Sequence, residues 1–247
     1  LHILQSEIMA FMEGRSVELS TPIAYREFIS FTLHRKKDND AKKYFTELLS
    51  DINEPTLPFG LINVQGDGLQ IIEVREGVPS EVASSIRALS KSLKLSPASL
   101  FHSAFGLVVA ACSGLEKVVF GSVMSGRLQG VIGSETMLGV FINTLPLRVD
   151  TDDVDVLSFV LRTHQNLRNL LPFEQTPLAL AQSCSGVANN MPLFNCLLNY
   201  RHSKRDETDN TSEHDLMTVL GGQERTNYPL SLSVDDLGVG FELELQV

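Results

Sequence analysis

The chain has 247 residues, 43% of them hydrophobic and 20% charged, a composition that argues for a folded globular protein and against long disorder. Its formal net charge is −10 at pH 7 and its basic residues are scattered, which argues against a nucleic-acid surface because counterion release needs clustered lysines and arginines. No apolar run is long enough to cross a membrane, and Cys112 and Cys196 lie in apolar segments, so we expect unpaired core thiols and a cytoplasmic location.

The first fifty residues are predicted to form three helices. Apolar residues at helical spacing mark the first one: Leu1, Leu4, Ile8 and Phe11. Gly14 is its expected stop. Thr21 and Pro22 predict an N-cap and the first turn of a second helix. A third amphipathic segment covers Ala41 to Leu49.

A linker is predicted after these helices. Pro55 and Pro58 lie close together, and each proline removes a hydrogen-bond donor and restricts the backbone. We place the linker at residues 54–68, after a helical unit at residues 1–53. The chain begins in the middle of a helical pattern with Leu1, so we expect it to be part of a longer polypeptide.

From residue 69 onward, predicted strands and helices alternate. The strands are expected at residues 69–75, 118–123, 140–149 and 192–200, followed by a hairpin of residues 230–234 and 239–247. Helices are expected to begin at Ser80 and at Ser96-Pro97 and to cover residues 156–170. Glycine-rich residues 124–137 are expected as a loop, and residues 202–215 as a polar connection. The alternation predicts an α/β fold, with a mixed sheet and helices packed on it.

The six histidines offer no recognisable catalytic or metal-binding pattern. None is adjacent to another and no zinc-ligand spacing occurs, so no metal site is expected. His102 and His164 fall in apolar helical segments, which favours structural roles. The string Gly121 to Ser125 lacks the second glycine of a nucleophile elbow.

Polar residues at the ends of predicted strands are the candidate site residues. Ser125 and Arg127 follow an apolar strand, where α/β sheets commonly hold ligands, although a solvated turn is an equal alternative. Asn143 and Thr144 follow apolar residues, and a buried amide must find a partner in the backbone, water or a ligand. Asn199 ends another strand with the same ambiguity.

Several motifs resemble the condensation domains of nonribosomal peptide synthetases. Leu138 to Arg148 is very similar to the Ile-Gly-x-Phe-Val-Asn-Thr motif of that family. Val118 to Gly121 and Ser125 to Arg127 resemble its preceding strand and Ser-Gly-Arg turn. Further similar segments occur in the expected order at residues 25–28, 192–194, 199–203 and 224–230. The resemblance therefore extends over the whole chain.

The sequence departs from the family pattern where catalysis is concerned. The His-His-x-x-x-Asp-Gly signature does not occur in it, and the resemblance places that signature before Leu1. The later His-Gln-Asp-x-Pro element is degraded to Glu174-Gln175-Thr176-Pro177, and the Arg-Asp that normally precedes Pro192 is absent.

The resemblance implies a fold of two halves, each shaped like chloramphenicol acetyltransferase, with a tunnel between them. Residues 1–53 would finish the first half, and residues 69–247 would form the second without its last helix. The implied reaction joins aminoacyl or peptidyl thioesters held by upstream and downstream peptidyl carrier proteins, next to an adenylation domain. No covalently bound cofactor is implied, because the phosphopantetheine arms of the carriers act as substrates.

The resemblance implies positioning roles for the residues in this chain and no catalytic residue. Substrate-tunnel or subdomain contacts are expected from five residues: Ser125, Arg127, Asn143, Thr144 and Asn199. The chain alone is expected to be inactive, since the second histidine of the missing signature acts as the base or positions the amine. The alternatives are an epimerisation or dual epimerisation/condensation domain, a stand-alone acyltransferase, and a silent docking module.

Overall fold

The computed structural model describes residues 2–35, 39–62, 71–128, 133–134, 136–152, 154–202 and 226–247. Within these ranges the helices are α1 (His2–Met12), α2 (Tyr25–Arg35), α3 (Asn39–Leu49), α4 (Ser80–Leu93), α5 (Pro97–Ser113), α6 (Val156–Leu170) and α7 (Leu178–Gln182). The strands are β1 (Glu73–Gly77), β2 (Lys117–Met124), β3 (Asn143–Asp150), β4 (Cys196–His202), β5 (Leu230–Asp236) and β6 (Phe241–Gln246).

The described strands form one mixed sheet in the order β1-β6-β5-β4-β2-β3. Strand β4 runs parallel to β2 and β5, and the other neighbours are antiparallel. Met124 at the end of β2 pairs with Asn143 at the start of β3. The turn that follows β2 therefore meets the segment that precedes β3. This mixed sheet with helices packed on it confirms the expected α/β class.

Helix α5 illustrates how local signals and packing agree. The Ser96 hydroxyl accepts a hydrogen bond from Ala98 N at 3.2 Å, Pro97 occupies the first turn, and Gly114 ends the helix with φ of 68°. Gly106 lies where a Cβ would be 2.8 Å from Val149 Cγ1. A glycine at this position therefore lets α5 approach β3 closely.

Three predicted element starts are wrong, and a long-range contact lies at or near each of them. Helix α2 begins at Tyr25 and not at Thr21-Pro22, and Tyr25 packs on the segment before β3. Strand β3 begins three residues after Val140, whose carbonyl oxygen accepts from the Tyr25 hydroxyl. Strand β4 begins at Cys196, and Phe194 before it forms an isolated bridge with Thr56.

Some predicted features lie outside the described residues. Leu1 is one of them. The others are the last part of the linker, the start of the strand expected at residues 69–75, and nearly all of the polar connection at residues 202–215. The described part of that strand begins at Glu73.

Helix α3 shares its hydrophobic core with the sheet. Phe45 and Leu49 are fully buried in the cluster that also contains Phe120 of β2 and Leu147 of β3. Arg148 of β3 donates to the Leu48 carbonyl at 2.9 Å and to both carboxylate oxygens of Asp51 at 2.5 and 3.0 Å. The predicted boundary near residue 53 stays a prediction, but the packing ties α3 to the second unit.

Thr56, in the described part of the predicted linker (residues 54–62), also packs on the sheet. Thr56 is fully buried, and its hydroxyl accepts a hydrogen bond from Val119 N at 2.8 Å. Its backbone pairs with Leu193 and Asn195. The two prolines thus exclude a long strand here, as expected, without making these residues a free tether.

No single helix in the described part of the chain is long and apolar enough to span a membrane. Helices α4 and α5 are long and apolar enough only when taken together, and they meet at a bend of 111°.

Candidate functional site

Three segments meet where β2 ends and β3 begins. They are the turn of residues 125–127, the segment of residues 136–142 that precedes β3, which we call the strap, and residues 174–176, which follow α6. Because β2 and β3 are antiparallel neighbours, their shared end brings the first two segments together. The third reaches them because α6 packs on β3 and the chain then turns back towards the sheet.

Arg127 holds the strap in place. Its guanidinium donates to the carbonyl oxygens of Ser134 and, at 3.1 Å, of Met137. The Ser134 hydroxyl donates back to the Arg127 carbonyl at 3.1 Å. The guanidinium carbon also lies 3.9 Å from the ring centroid of Phe141, within the range of a cation–π interaction. Arg127 therefore bonds to the backbone of Ser134 and Met137 and is not simply a solvated charge.

Gly126 allows the turn to approach the strap. It has φ of 70° and a Cβ in its place would overlap the carbonyl group of Phe141, so a side chain is excluded by both conformation and space. The Gly126 carbonyl oxygen accepts a hydrogen bond from the Gln175 side-chain amide. The adjacent Ser125 is exposed, and its hydroxyl lies 3.5 Å from Arg127 N.

Asn143 joins the sheet to residues 174–176. Its side-chain nitrogen donates to the carbonyl oxygens of Glu174 at 2.9 Å and Thr176 at 2.8 Å. Both of these residues are buried, so the amide satisfies acceptors that water does not reach. Of the alternatives open from the sequence, the described contacts favour a backbone brace over a ligand-binding amide.

Thr144 and Asn199 lie on the other face of the sheet. Side chains alternate along a strand, and Thr144 packs its methyl group over Gly121, where a Cβ would be 2.7 Å away. Asn199 is half-buried opposite Ser233 of β5. The structure thus brings Ser125, Arg127 and Asn143 into one cluster and leaves these two residues outside it. Tunnel-contact roles for all five remain predictions.

Two further contacts of the cluster were not predicted as site residues. Gln175 belongs to the degraded element at residues 174–177, and Tyr25 contacts the strap from α2. In the sequence, both residues were marked only by lying in segments similar to motifs of the family. A hydrogen bond from a side chain to a distant backbone carbonyl has no signature in the neighbouring sequence.

His102 is enclosed in the core and does not belong to the cluster. Its Nδ1 lies 2.7 Å from the Ala98 carbonyl, so Nδ1 carries the proton, and Nε2 accepts from the Ser122 hydroxyl at 2.9 Å. Both side chains are buried. His164 lies on α6 with its Nδ1 2.8 Å from the Ser99 hydroxyl. Structural roles for these two histidines therefore fit their contacts better than catalysis.

We expect His102 to make folding pH-dependent. Desolvation lowers its pKa from 6.5 to about 4, so the unfolded chain binds an extra proton between these values. The free energy of unfolding is therefore highest above pH 6.5 and falls by about 2–3 kcal/mol as the pH falls towards 4. Urea unfolding between pH 4 and 7 measures this loss, and His102→Gln should flatten the profile. A parallel decline in both proteins would show that another group titrates.

The contacts that join the segments of the cluster are made by hydrogen-bonding side chains. Its side chains are the hydroxyl of Ser125, the guanidinium of Arg127 and the amides of Asn143 and Gln175. No group of three or more metal-ligating side chains occurs among the described residues. The contacts observed at this end of the sheet are hydrogen bonds that orient chain segments.

Comparisons with known proteins agree with this architecture. Malpinin synthetase of Mortierella alpina is 43% identical over 247 residues, which is 100% of this chain and 3% of that protein. Bacitracin synthase 3 of Bacillus licheniformis is 27% identical over 241 residues, which cover 94% of this chain and 4% of that protein. The chain thus spans only a small part of the curated relatives it matches.

The fold is also that of solved condensation domains. The first condensation domain of the CDA synthetase matches with a TM-score of 0.72 at 16% identity, over 98% of this chain and 53% of that one. This similarity confirms the expected acetyltransferase-like fold. The family described as Condensation domain matches residues 1–246. The chain therefore belongs to the condensation-domain family.

Proposed function

We propose that this chain is the second part of a condensation domain that forms peptide bonds in a nonribosomal peptide synthetase. The observation that carries the proposal is the cluster at the shared end of β2 and β3, built by the motif residues Ser125, Arg127 and Asn143. Its contacts orient three chain segments. Family membership over residues 1–246 supports the same function.

The proposed substrates are aminoacyl or peptidyl thioesters on the phosphopantetheine arms of upstream and downstream carrier proteins. An adjacent adenylation domain is the third proposed partner, and a cytoplasmic location stays a prediction. Relatives many times longer than this chain, with the name synthetase or synthase, support a multidomain setting. In this arrangement the cluster holds reacting groups in position, which alone accelerates a reaction between two bound substrates.

The test compares this chain with a longer protein that includes the residues preceding Leu1. Both are mixed with donor and acceptor carrier proteins that bear loaded phosphopantetheine arms, and the peptide product is followed by mass spectrometry. We expect product from the longer protein and none above background from residues 1–247, because a positioned base contributes roughly 10²–10⁴-fold.

A third sample, the longer protein with alanine at the second histidine of its His-His motif, should resemble the short chain. Peptide formed by residues 1–247 alone would contradict the assignment of the base to the missing part. No described contact favours the epimerising, stand-alone acyltransferase or silent docking alternatives. Chiral analysis of the same product separates plain condensation from epimerisation.

A further inference from the structure

Helix α2 and the strap form an aromatic cluster of their own, separate from the main core. Phe28, Met137 and Phe141 are 3%, 1% and 3% exposed, and Tyr25 packs against them. The ring centroids of Phe28 and Phe141 are 4.3 Å apart, and the Tyr25 ring meets Phe141 edge-on at 5.3 Å. We call the contact of Tyr25 and Phe28 with the strap the clamp.

Tyr25 makes the most specific contacts of the clamp. Its hydroxyl donates a hydrogen bond to the Val140 carbonyl oxygen. Its ring fills the space beside Gly139, where a Cβ would overlap the ring carbons. A tyrosine on α2 and a glycine in the strap are therefore sterically matched, across more than a hundred residues of sequence.

Other contacts of Phe141 lead to the functional cluster. The Arg127 guanidinium lies over its ring at 3.9 Å, and its carbonyl lies against Gly126. Asn143, two residues further on, holds the carbonyls of Glu174 and Thr176. A displacement of Phe141 by α2 would therefore move the turn of residues 125–127, because closely packed groups leave no free space to absorb it.

We infer that Tyr25 is a positioning residue for the proposed reaction. It acts on the turn of residues 125–127 through its contacts with Gly139, Val140 and Phe141. This inference rests on the proposed function and adds to it a residue from α2. Tyr25 does not touch the reacting atoms in this role. It sets the position of the strap and, through it, of Arg127.

The test is a double-mutant cycle in the longer condensation domain. The four proteins are wild type, Tyr25→Ala, Gly139→Ala and the double variant, and each is assayed for kcat, for KM towards both loaded carriers, and for thermal midpoint. Gly139→Ala should lower kcat about 10-fold in the wild-type background. It should cost less than about 2-fold when Tyr25→Ala has already removed the ring, because directly contacting residues couple.

Tyr25→Phe separates positioning from packing. It keeps the ring and loses only the hydrogen bond to Val140, so we expect kcat to fall about 3- to 10-fold with unchanged KM. Loss of one hydrogen bond lowers the thermal midpoint only slightly, and the domain stays folded at the assay temperature. The matched control for the hydroxyl is Tyr44→Phe, because the Tyr44 ring stacks on Phe173 in the main core. The matched control for the glycine is Gly77→Ala, because a Cβ there would have nothing within 4 Å. Neither control should change kcat.

Three results would overturn the inference: an equal cost of Gly139→Ala in both backgrounds, an unchanged kcat in Tyr25→Phe, or a fall in kcat that only follows the fraction of folded protein. A wild-type domain that makes no peptide overturns the proposed function and, with it, the role of Tyr25. In that case the coupling of Tyr25 and Gly139 in thermal midpoint still decides whether the clamp geometry is correct.

Discussion

Asn143→Asp should destabilise the domain by about 3–5 kcal/mol and abolish detectable product formation. The wild-type amide donates to the carbonyls of Glu174 and Thr176. An ionised aspartate at that position has two acceptor oxygens and no donor, so two buried carbonyls lose the amide donor and face a full negative charge. Each unsatisfied buried group costs about 1–3 kcal/mol. The free energy of unfolding in urea, measured in the longer domain, gives the comparison.

Two further variants separate the brace from a substrate contact. Asn143→Ala removes the donors without adding charge, so we expect an intermediate loss of about 2–3 kcal/mol, with a domain that still folds and makes less product. Asn169→Asp is the matched control, because its side-chain oxygen accepts from Gln165 on the helix surface and an aspartate also accepts. Unchanged stability and kinetics in both Asn143 variants would rule out the brace.

Phe45→Ala should cost about 3–5 kcal/mol, the usual effect of emptying a buried phenylalanine site. Phe45 is 0% exposed in the core shared with the sheet, and its ring centroid lies 5.1 Å from Tyr44 and 6.0 Å from Phe173. Because α3 and the sheet share one core, loss of the Phe45 ring should lower the urea concentration at which the whole sheet unit unfolds.

The control for Phe45→Ala is Phe11→Ala on α1, because Phe11 is 66% exposed and its truncation should change stability by less than about 0.5 kcal/mol. Urea unfolding followed by circular dichroism measures both. An effect of Phe45→Ala no larger than that of Phe11→Ala would show that α3 does not stabilise the sheet. The predicted boundary near residue 53 would then gain support.

Much of the secondary structure was predictable because its signals are local. Ser96, Pro97 and Gly114 begin and end α5 through bonds and backbone angles within a few residues of sequence. The apolar runs of β2 and the hairpin of β5 and β6 were equally predictable. Motif order also pointed to the condensation-domain family, and with it to five candidate contact residues: Ser125, Arg127, Asn143, Thr144 and Asn199.

The sequence by itself thus determined the class of fold, the family and three residues of the cluster: Ser125, Arg127 and Asn143. Only the tertiary structure decided what those residues contact. Tyr25 bonds to a carbonyl 115 residues away, Asn143 to carbonyls 31 and 33 residues away, and α3 packs into the core of the sheet. The physical reason is that every residue except proline offers the same backbone donor and acceptor, so sequence does not mark which carbonyl a side chain will find. The packing of the sheet selects it.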